Sequence, residues 1–308
     1  MPCFSAIAKD ACEYEGKMWE MMSIVGFRGL PRRAECEGRK VVDGGVMKCR
    51  LEKGHGGKNM EPVARLVRDS MNLLFPPVCA VCRVRLDARR QQGLCLSCSG
   101  SIGYLRQPLC RVCGMELAGS GWREYLCGEC LRTPPAFSLA RSLVRYEPAV
   151  RQLVQRLKYA GDTSVAHGIA VVIQGVDLSE FADCDWIIPV PLHVERHRSR
   201  GLNQATFLAS LFFPDKKQLI RSDWLFRKRN TTAQTRLGGD LRRKNLVDAF
   251  GVRPGNQLQD CLVCLVDDVY TTGTTAGACA AVLKRHGARG VKVLTLARVP
   301  VPHRGIIR

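Results

Sequence analysis

The sequence predicts an α/β protein: a parallel sheet flanked by helices, preceded by a small cysteine-rich module. Two observations carry that expectation. The first is residues 261–275, CLVCLVDDVYTTGTT, in which an apolar run of strand length ends in two acids and a turn of small hydroxyl residues. The run from Cys261 to Val266 does not alternate, as expected of a strand buried on both faces of a parallel sheet. AGACAAVLKRHG follows as a helix, Ala-rich, basic in its last turn and stopped by Gly287. VKVLTLARV reads as the next strand and completes a βαβ unit. The second observation is four CxxC pairs, Cys79/Cys82, Cys95/Cys98, Cys110/Cys113 and Cys127/Cys130, separated by 12, 11 and 13 residues.

The chain has 308 residues, enough for one sizeable core and a smaller module. No apolar run approaches about 18 residues, so no membrane span is expected. The N-terminus carries no secretory pattern, which makes the cytoplasm the default location. A net charge of +19 points to an anionic partner, nucleic acid or a phosphorylated metabolite. The excess is uneven: residues 193–244 hold 13 Lys and Arg against 4 Asp and Glu, whereas residues 1–59 hold 11 against 8. A solvated basic face is the plain alternative for many of these side chains.

In chain order, residues 1–59 show no period and no motif, and are expected to be disordered or a mis-assigned N-terminal extension. Residues 60–135 form the second division. It opens with an amphipathic helix over Glu61–Phe75, with Val63, Leu66, Val67, Met71 and Leu74 apolar and Pro76 and Pro77 stopping it. The CxxC pairs follow. Each places two thiolates on one side of a tight turn, and two such knuckles complete a tetrahedral Cys₄ zinc site. Cys79, Cys82, Cys95, Cys98, Cys110, Cys113, Cys127 and Cys130 therefore suffice for two zinc ions, paired either sequentially or alternately. Sixteen cysteines in a chain with no secretory signal favour metal over disulfides, and a redox CxxC normally occurs once. No His or carboxylate is placed to open a coordination position, so the zinc is read as structural.

Residues 136–308 form the third division. SLARSLVRYE reads as a strand, Pro148 opens a helix, and a second helix spans about 163–174. DWIIPVPLH reads as a strand ending in a Pro-bounded loop, and a helix begins near Leu202. Residues 224–250 hold a strand, a polar turn and a basic cluster, and Val291–Val299 is the last strand.

The chemistry of 267–275 follows from its layout. A small-residue loop entering a helix N-terminus offers several backbone N–H groups and a favourable dipole to one phosphate. Thr hydroxyls add donors, and Gly273 lets the backbone approach closely. Asp267 and Asp268 would repel a phosphate but accept hydrogen bonds from ribose hydroxyls, directly or beside Mg²⁺.

This stretch resembles the phosphoribosyl pyrophosphate (PRPP) motif of type I phosphoribosyltransferases: apolar strand, paired acids, two variable residues, then Thr-Thr-Gly-x-Thr. Together with the zinc module, RGxNQA at 200–205 and the Gln/Arg/Asn stretch of 234–245, it resembles the ComF family of competence proteins over about 62–300. The resemblance implies a type I phosphoribosyltransferase-like sheet and a site for Mg²⁺–PRPP. In it, Asp267 and Asp268 meet the ribose, Thr271, Thr272, Gly273, Thr274 and Thr275 cradle the 5′-phosphate, and Pro191, Leu192 and His193 line the pyrophosphate loop. It also implies that Arg200, Asn203 and Gln204 face the ligand, and that Arg229, Gln234, Arg236 and Arg243 belong to a lid. A polar helix cap is the plain reading of Asn203. Tyr270 is bulkier than the aliphatic residue common at its place in type I enzymes, though it matches the ComF pattern.

Two functions remain open at this point. One is an enzyme that transfers phosphoribosyl from PRPP to an acceptor, in nucleotide metabolism or linked to DNA uptake. The other is a non-catalytic protein on the same fold that binds single-stranded DNA or senses PRPP, with DNA-uptake proteins among its partners. The acid pair favours the first, because it suits a ribose and repels a DNA phosphate.

Overall fold

The sheet is parallel throughout. In the computed structural model, which describes residues 76–87, 93–118, 125–157, 163–192, 203–228 and 249–300 of the unit Lys58–Arg308, it has four strands. The expected helix over 61–75 and the segment 1–59 lie outside the described residues. Two short helices belong to the cysteine-rich part, α1 (Leu96–Gly100) and α2 (Gly128–Arg132). Then come β1 (Leu139–Arg145), α3 (Pro148–Arg156), α4 (Thr163–Gln174), β2 (Trp186–Pro189) and α5 (Gln204–Phe212). β3 (Leu225–Arg227), β4 (Phe250–Val252), β5 (Leu262–Tyr270), α6 (Thr274–Arg285) and β6 (Gly290–Arg298) complete the chain order.

The strand order is β1-β6-β5-β2. β5 is central and carries the longest apolar run, with Val263, Cys264, Leu265 and Val266 all buried, as a strand covered on both faces requires. α3 starts with Pro148 in its first turn and buries Ala149, Val150, Leu153 and Val154, a stripe at helical spacing. α6 carries Lys284 and Arg285 in its last turn, where cations suit the negative end of the helix, and Gly287 turns the chain away at φ 101°.

β3 and β4, with Leu225 opposite Val252 and Arg227 opposite Phe250, form a separate antiparallel ribbon. The Lys228 N–H donates to the Ala249 carbonyl at 2.8 Å and pins the stems of the intervening segment. The ribbon closes at Lys228 and Ala249, and the expected lid residues between them lie outside the described residues. Among the described residues no helix is long and apolar enough to cross a membrane.

Candidate functional site

The carboxyl ends of β5 and β2 lie side by side. Pro189 pairs with Val266, and the Val190 N–H donates to the Val266 carbonyl at 2.8 Å. Asp267 and Asp268 end the apolar run of β5, and buried Pro191 with half-buried Leu192 follows β2 beside them. In open α/β sheets, the crevice beyond such strand ends is where ligands bind. His193 and Arg200 lie outside the described residues, as do Arg229, Gln234, Arg236 and Arg243.

Burial pushes the Asp267 carboxyl well above its ordinary value, and the charge of neighbouring Asp268 adds to the rise. The Asp268 N–H, donating to Asp267 Oδ1 at 2.9 Å, and the positive charge of Arg227 oppose it without cancelling it. The Val269 N–H donates to Asp268 Oδ1 at 2.7 Å, which turns that carboxylate back along the strand end. Arg227 also lies over the Phe250 ring, 5.5 Å from its centroid. Two acids held this close, one of them desolvated, form a site that a divalent cation or a set of hydroxyl donors would relieve.

Thr271 and Thr272 are exposed, and Gly273, Thr274 and Thr275 are half-buried. Gly273 is the N-cap of α6 at φ 75°, the left-handed region that favours glycine. It has no side chain to cap the helix, so the N–H groups of the first turn remain open to an anion. Thr272 Oγ1 and Thr274 Oγ1 share a hydrogen bond of 2.6 Å, which folds the hydroxyls over the helix start.

Asn203 is the N-cap of α5. Its Oδ1 accepts from the Ala205 N–H at 3.1 Å, and its Nδ2 donates to the Val190 carbonyl at 3.3 Å. Both ends of its amide therefore tie α5 to the end of β2, the capping reading of this residue. Gln204 beside it is buried, with 3% of its surface exposed.

The eight cysteines pair sequentially. Cys79, Cys82, Cys95 and Cys98 form one tetrad and Cys110, Cys113, Cys127 and Cys130 the other, with the ligand atoms of each within 4.8 Å of one another. Zinc–sulfur bonds of about 2.3 Å imply S···S edges of about 3.8 Å in a tetrahedron. The Cys82–Cys95 and Cys113–Cys127 sulfurs lie 3.7 and 3.6 Å apart, so both tetrads fit the ion. N–H groups aim at the sulfurs: Val81 and Cys95 donate to Cys79 Sγ at 3.4 Å, and Cys127 donates to Cys110 Sγ at 3.3 Å. Burial pushes the Cys79 thiol up, but these bonds outweigh it and bring it down to about 6. Hydrogen bonds from Cys113 and Cys127 hold Cys110 low, and the bond to Cys110 pushes Cys113 up. Both tetrads are structural sites with four protein ligands and no open position.

One relation escapes sequence reading. Tyr270, at the end of β5, is buried against Phe137, with ring centroids 6.4 Å apart at 82°, and against Arg298, whose guanidinium carbon is 4.4 Å from the ring centroid. The size of Tyr270 in that position was the available signal; its partners come from segments far away in sequence.

These features define a class: an α/β protein with a small-residue loop entering a helix at the carboxyl edge of a parallel sheet, carrying two zinc ribbons. A double zinc ribbon domain matches residues 70–131. The DNA utilization protein YhgH of Salmonella typhi is 33% identical over 231 residues, which cover 73% of this chain and 99% of that protein. Competence protein F of Haemophilus influenzae is 30% identical over 71% of this chain and 96% of its own length, and competence protein ComFC of Bacillus subtilis is 25% identical over 67% and 84%. The chain belongs to the ComF family of competence and DNA-utilization proteins. A purine phosphoribosyltransferase from Pyrococcus horikoshii Ot3 aligns with 55% of this chain and 96% of its own at 14% identity, but a TM-score of 0.27 is too low to bear on the site.

Proposed function

We propose that the chain binds Mg²⁺–PRPP at the end of β5 and transfers its phosphoribosyl group to an acceptor. The observation that carries this reading is the junction of Asp267 and Asp268 with an uncapped helix start at Gly273. A ribose 5-phosphate needs both features, hydroxyl acceptors next to a phosphate cradle. In the reaction the acceptor attacks C1 of the ribose. The C1–O bond to pyrophosphate breaks, and its electron pair leaves with the pyrophosphate. Positioning and charge stabilisation at C1 would supply the catalysis. The Thr271–Thr275 backbone and hydroxyls hold the 5′-phosphate. Asp267 and Asp268 orient the ribose hydroxyls. Pro191, Leu192 and His193 contribute backbone N–H groups to pyrophosphate where Pro does not interrupt, and Arg200, Gln204, Arg229, Gln234, Arg236 and Arg243 belong to the surrounding basic shell and lid. Asn203 serves this shell by fixing α5 to β2.

The test is the double variant Asp267→Asn/Asp268→Asn. It is expected to lose PRPP binding while keeping its zinc content and thermal unfolding cooperative. Unchanged affinity in that variant would remove the core of the reading.

A second reading, single-stranded DNA binding in DNA uptake, is favoured by the names of the relatives and by the net charge of +19. On that reading, binding is salt-sensitive and insensitive to the acid pair.

A further inference from the structure

We propose that the second zinc ribbon holds the phosphate loop in place, with Arg298 and Tyr270 as the positioning residues between them. The inference rests on the reading of 267–275 as a phosphate site. An unbroken line of contacts carries it. Arg298 ends β6 with 6% of its surface exposed, and its Nη1 donates to the Cys113 carbonyl at 2.7 Å. Its Nη2 points at Cys113 Sγ, 3.7 Å away. The same guanidinium lies against the ring of Tyr270, its register partner on β5. The Tyr270 hydroxyl also abuts Gly273, where an added Cβ would collide with the hydroxyl oxygen. Tetrad, arginine, tyrosine and loop glycine are thus packed in series.

Charge gives the series its direction. Among the described residues no carboxylate forms an ion pair with Arg298. A buried guanidinium needs compensation. Four thiolates around a divalent ion carry about two net negative charges, and Arg298 sits against one of those sulfurs. Removing the ion breaks up that charged cluster, and the compensation goes with it. Arg298 then has reason to leave Cys113, the Tyr270 ring loses one wall, and Gly273 loses the surface that fixes its turn. Because coupling between two sites is reciprocal, a disturbance at Gly273 must in turn weaken metal retention at the second tetrad.

The experiment uses the full zinc-loaded chain and needs no PRPP, so its outcome is separate from the fate of the PRPP reading. Zinc release to a chelator is followed with a metallochromic dye. Alkylation and mass spectrometry assign each release phase to Cys110–Cys130 or to Cys79–Cys98. Gly273→Ala is expected to speed release from the second tetrad roughly tenfold and to leave the first unchanged, although it alters no cysteine and no neighbour of one in sequence. Arg298→Gln is expected to raise amide exchange across 271–276 by a similar factor, and Arg298→Lys, which keeps the charge, to restore most of the protection. The proposal is overturned if Gly273→Ala releases zinc from the second tetrad at the wild-type rate, or speeds both tetrads alike. It is equally overturned if exchange across 271–276 is unchanged in Arg298→Gln. The arginine variants decide the matter if Gly273→Ala does not fold.

Discussion

The two zinc ribbons share the CxxC knuckle and the sulfur geometry, and they differ in what surrounds the sulfurs. In the first tetrad Cys82 is exposed and Cys95 and Cys98 are half-buried; in the second all four cysteines are buried. The first docks on helices. Gly93 packs on the backbone of His167, Gly168 packs on Ala80 and Leu94, and Arg156 Nη1 donates to the Ala80 carbonyl. The second docks on the edge of the sheet. The Ala140 N–H donates to the Val112 carbonyl at 2.6 Å, Arg141 Nη1 donates to the carbonyls of Cys110 and Arg111, and Arg145 pairs with Glu116 at 2.6 Å. One motif, used twice, has become a surface staple in one place and part of the core in the other. The difference lies in the residues that reach the sulfurs from outside, above all Arg298.

That contrast can be broken most severely at the cysteines. Cys113→Ser is expected to cost at least about 4 kcal/mol, roughly 10 °C in Tm for a domain of this size, because it removes metal and uncovers a buried charge. Cys82→Ser is expected to cost about 1–2 kcal/mol and to open the 79–98 region to protease while the main transition stays put. Melting curves and limited proteolysis of the two variants check this; equal losses would end the distinction.

The same dependence on surroundings separates two acids. Asp267 is raised by burial and by Asp268, so between the ordinary carboxylate value and its own the folded state binds the extra proton, and stability falls as pH rises through that window. Asp267→Asn is therefore expected to stabilise the ligand-free chain at neutral pH by about 1–2 kcal/mol, a gain typical of relieving a functional site. The gain should vanish below about pH 4, where the native acid is protonated in both states. Glu116 runs the other way. Burial alone would raise it, but the Arg145 guanidinium and the Arg106 N–H outweigh burial and hold it below its ordinary value. Its contribution is present above the ordinary Glu value and is lost as pH falls through the lowered one. Glu116→Gln should cost about 1 kcal/mol at neutral pH, with the difference from wild type closing in acid; unfolding in denaturant across pH reads both variants.

The smallest effect belongs to Arg132 and Glu129, paired on α2 with side chains 76% and 59% exposed. Arg132→Ala should change stability by less than about 0.5 kcal/mol. A larger change would mean that the outer face of the ribbon is less solvated than its exposure indicates.

Much of this arrangement was legible in the sequence. The helix over 163–174, the strand through Val266, the stop at Gly287 and the sulfur ligands all follow from local pattern, because period, capping and CxxC turns are short-range properties. The strand Phe250–Val252 was not foreseen as one, since three residues carry too little period. Sequential pairing of the knuckles was likewise open, because spacing permits either arrangement and only three-dimensional packing decides. The sequence favours a ligand contact for Asn203 over a cap, whereas its amide is bonded to Ala205 and Val190 as a cap requires, because the partner on β2 is not visible in local pattern. The Cys113–Arg298–Tyr270–Gly273 series spans residues up to 185 apart, and no local rule could assemble it.

The most direct test of the central claim is calorimetric titration of the full chain with Mg²⁺–PRPP, beside single-stranded DNA in the same salt. The account predicts saturable PRPP binding whose heat disappears in Asp267→Asn/Asp268→Asn. An absence of PRPP binding together with tight, salt-sensitive DNA binding would contradict it, and would make this sheet edge a nucleic-acid site.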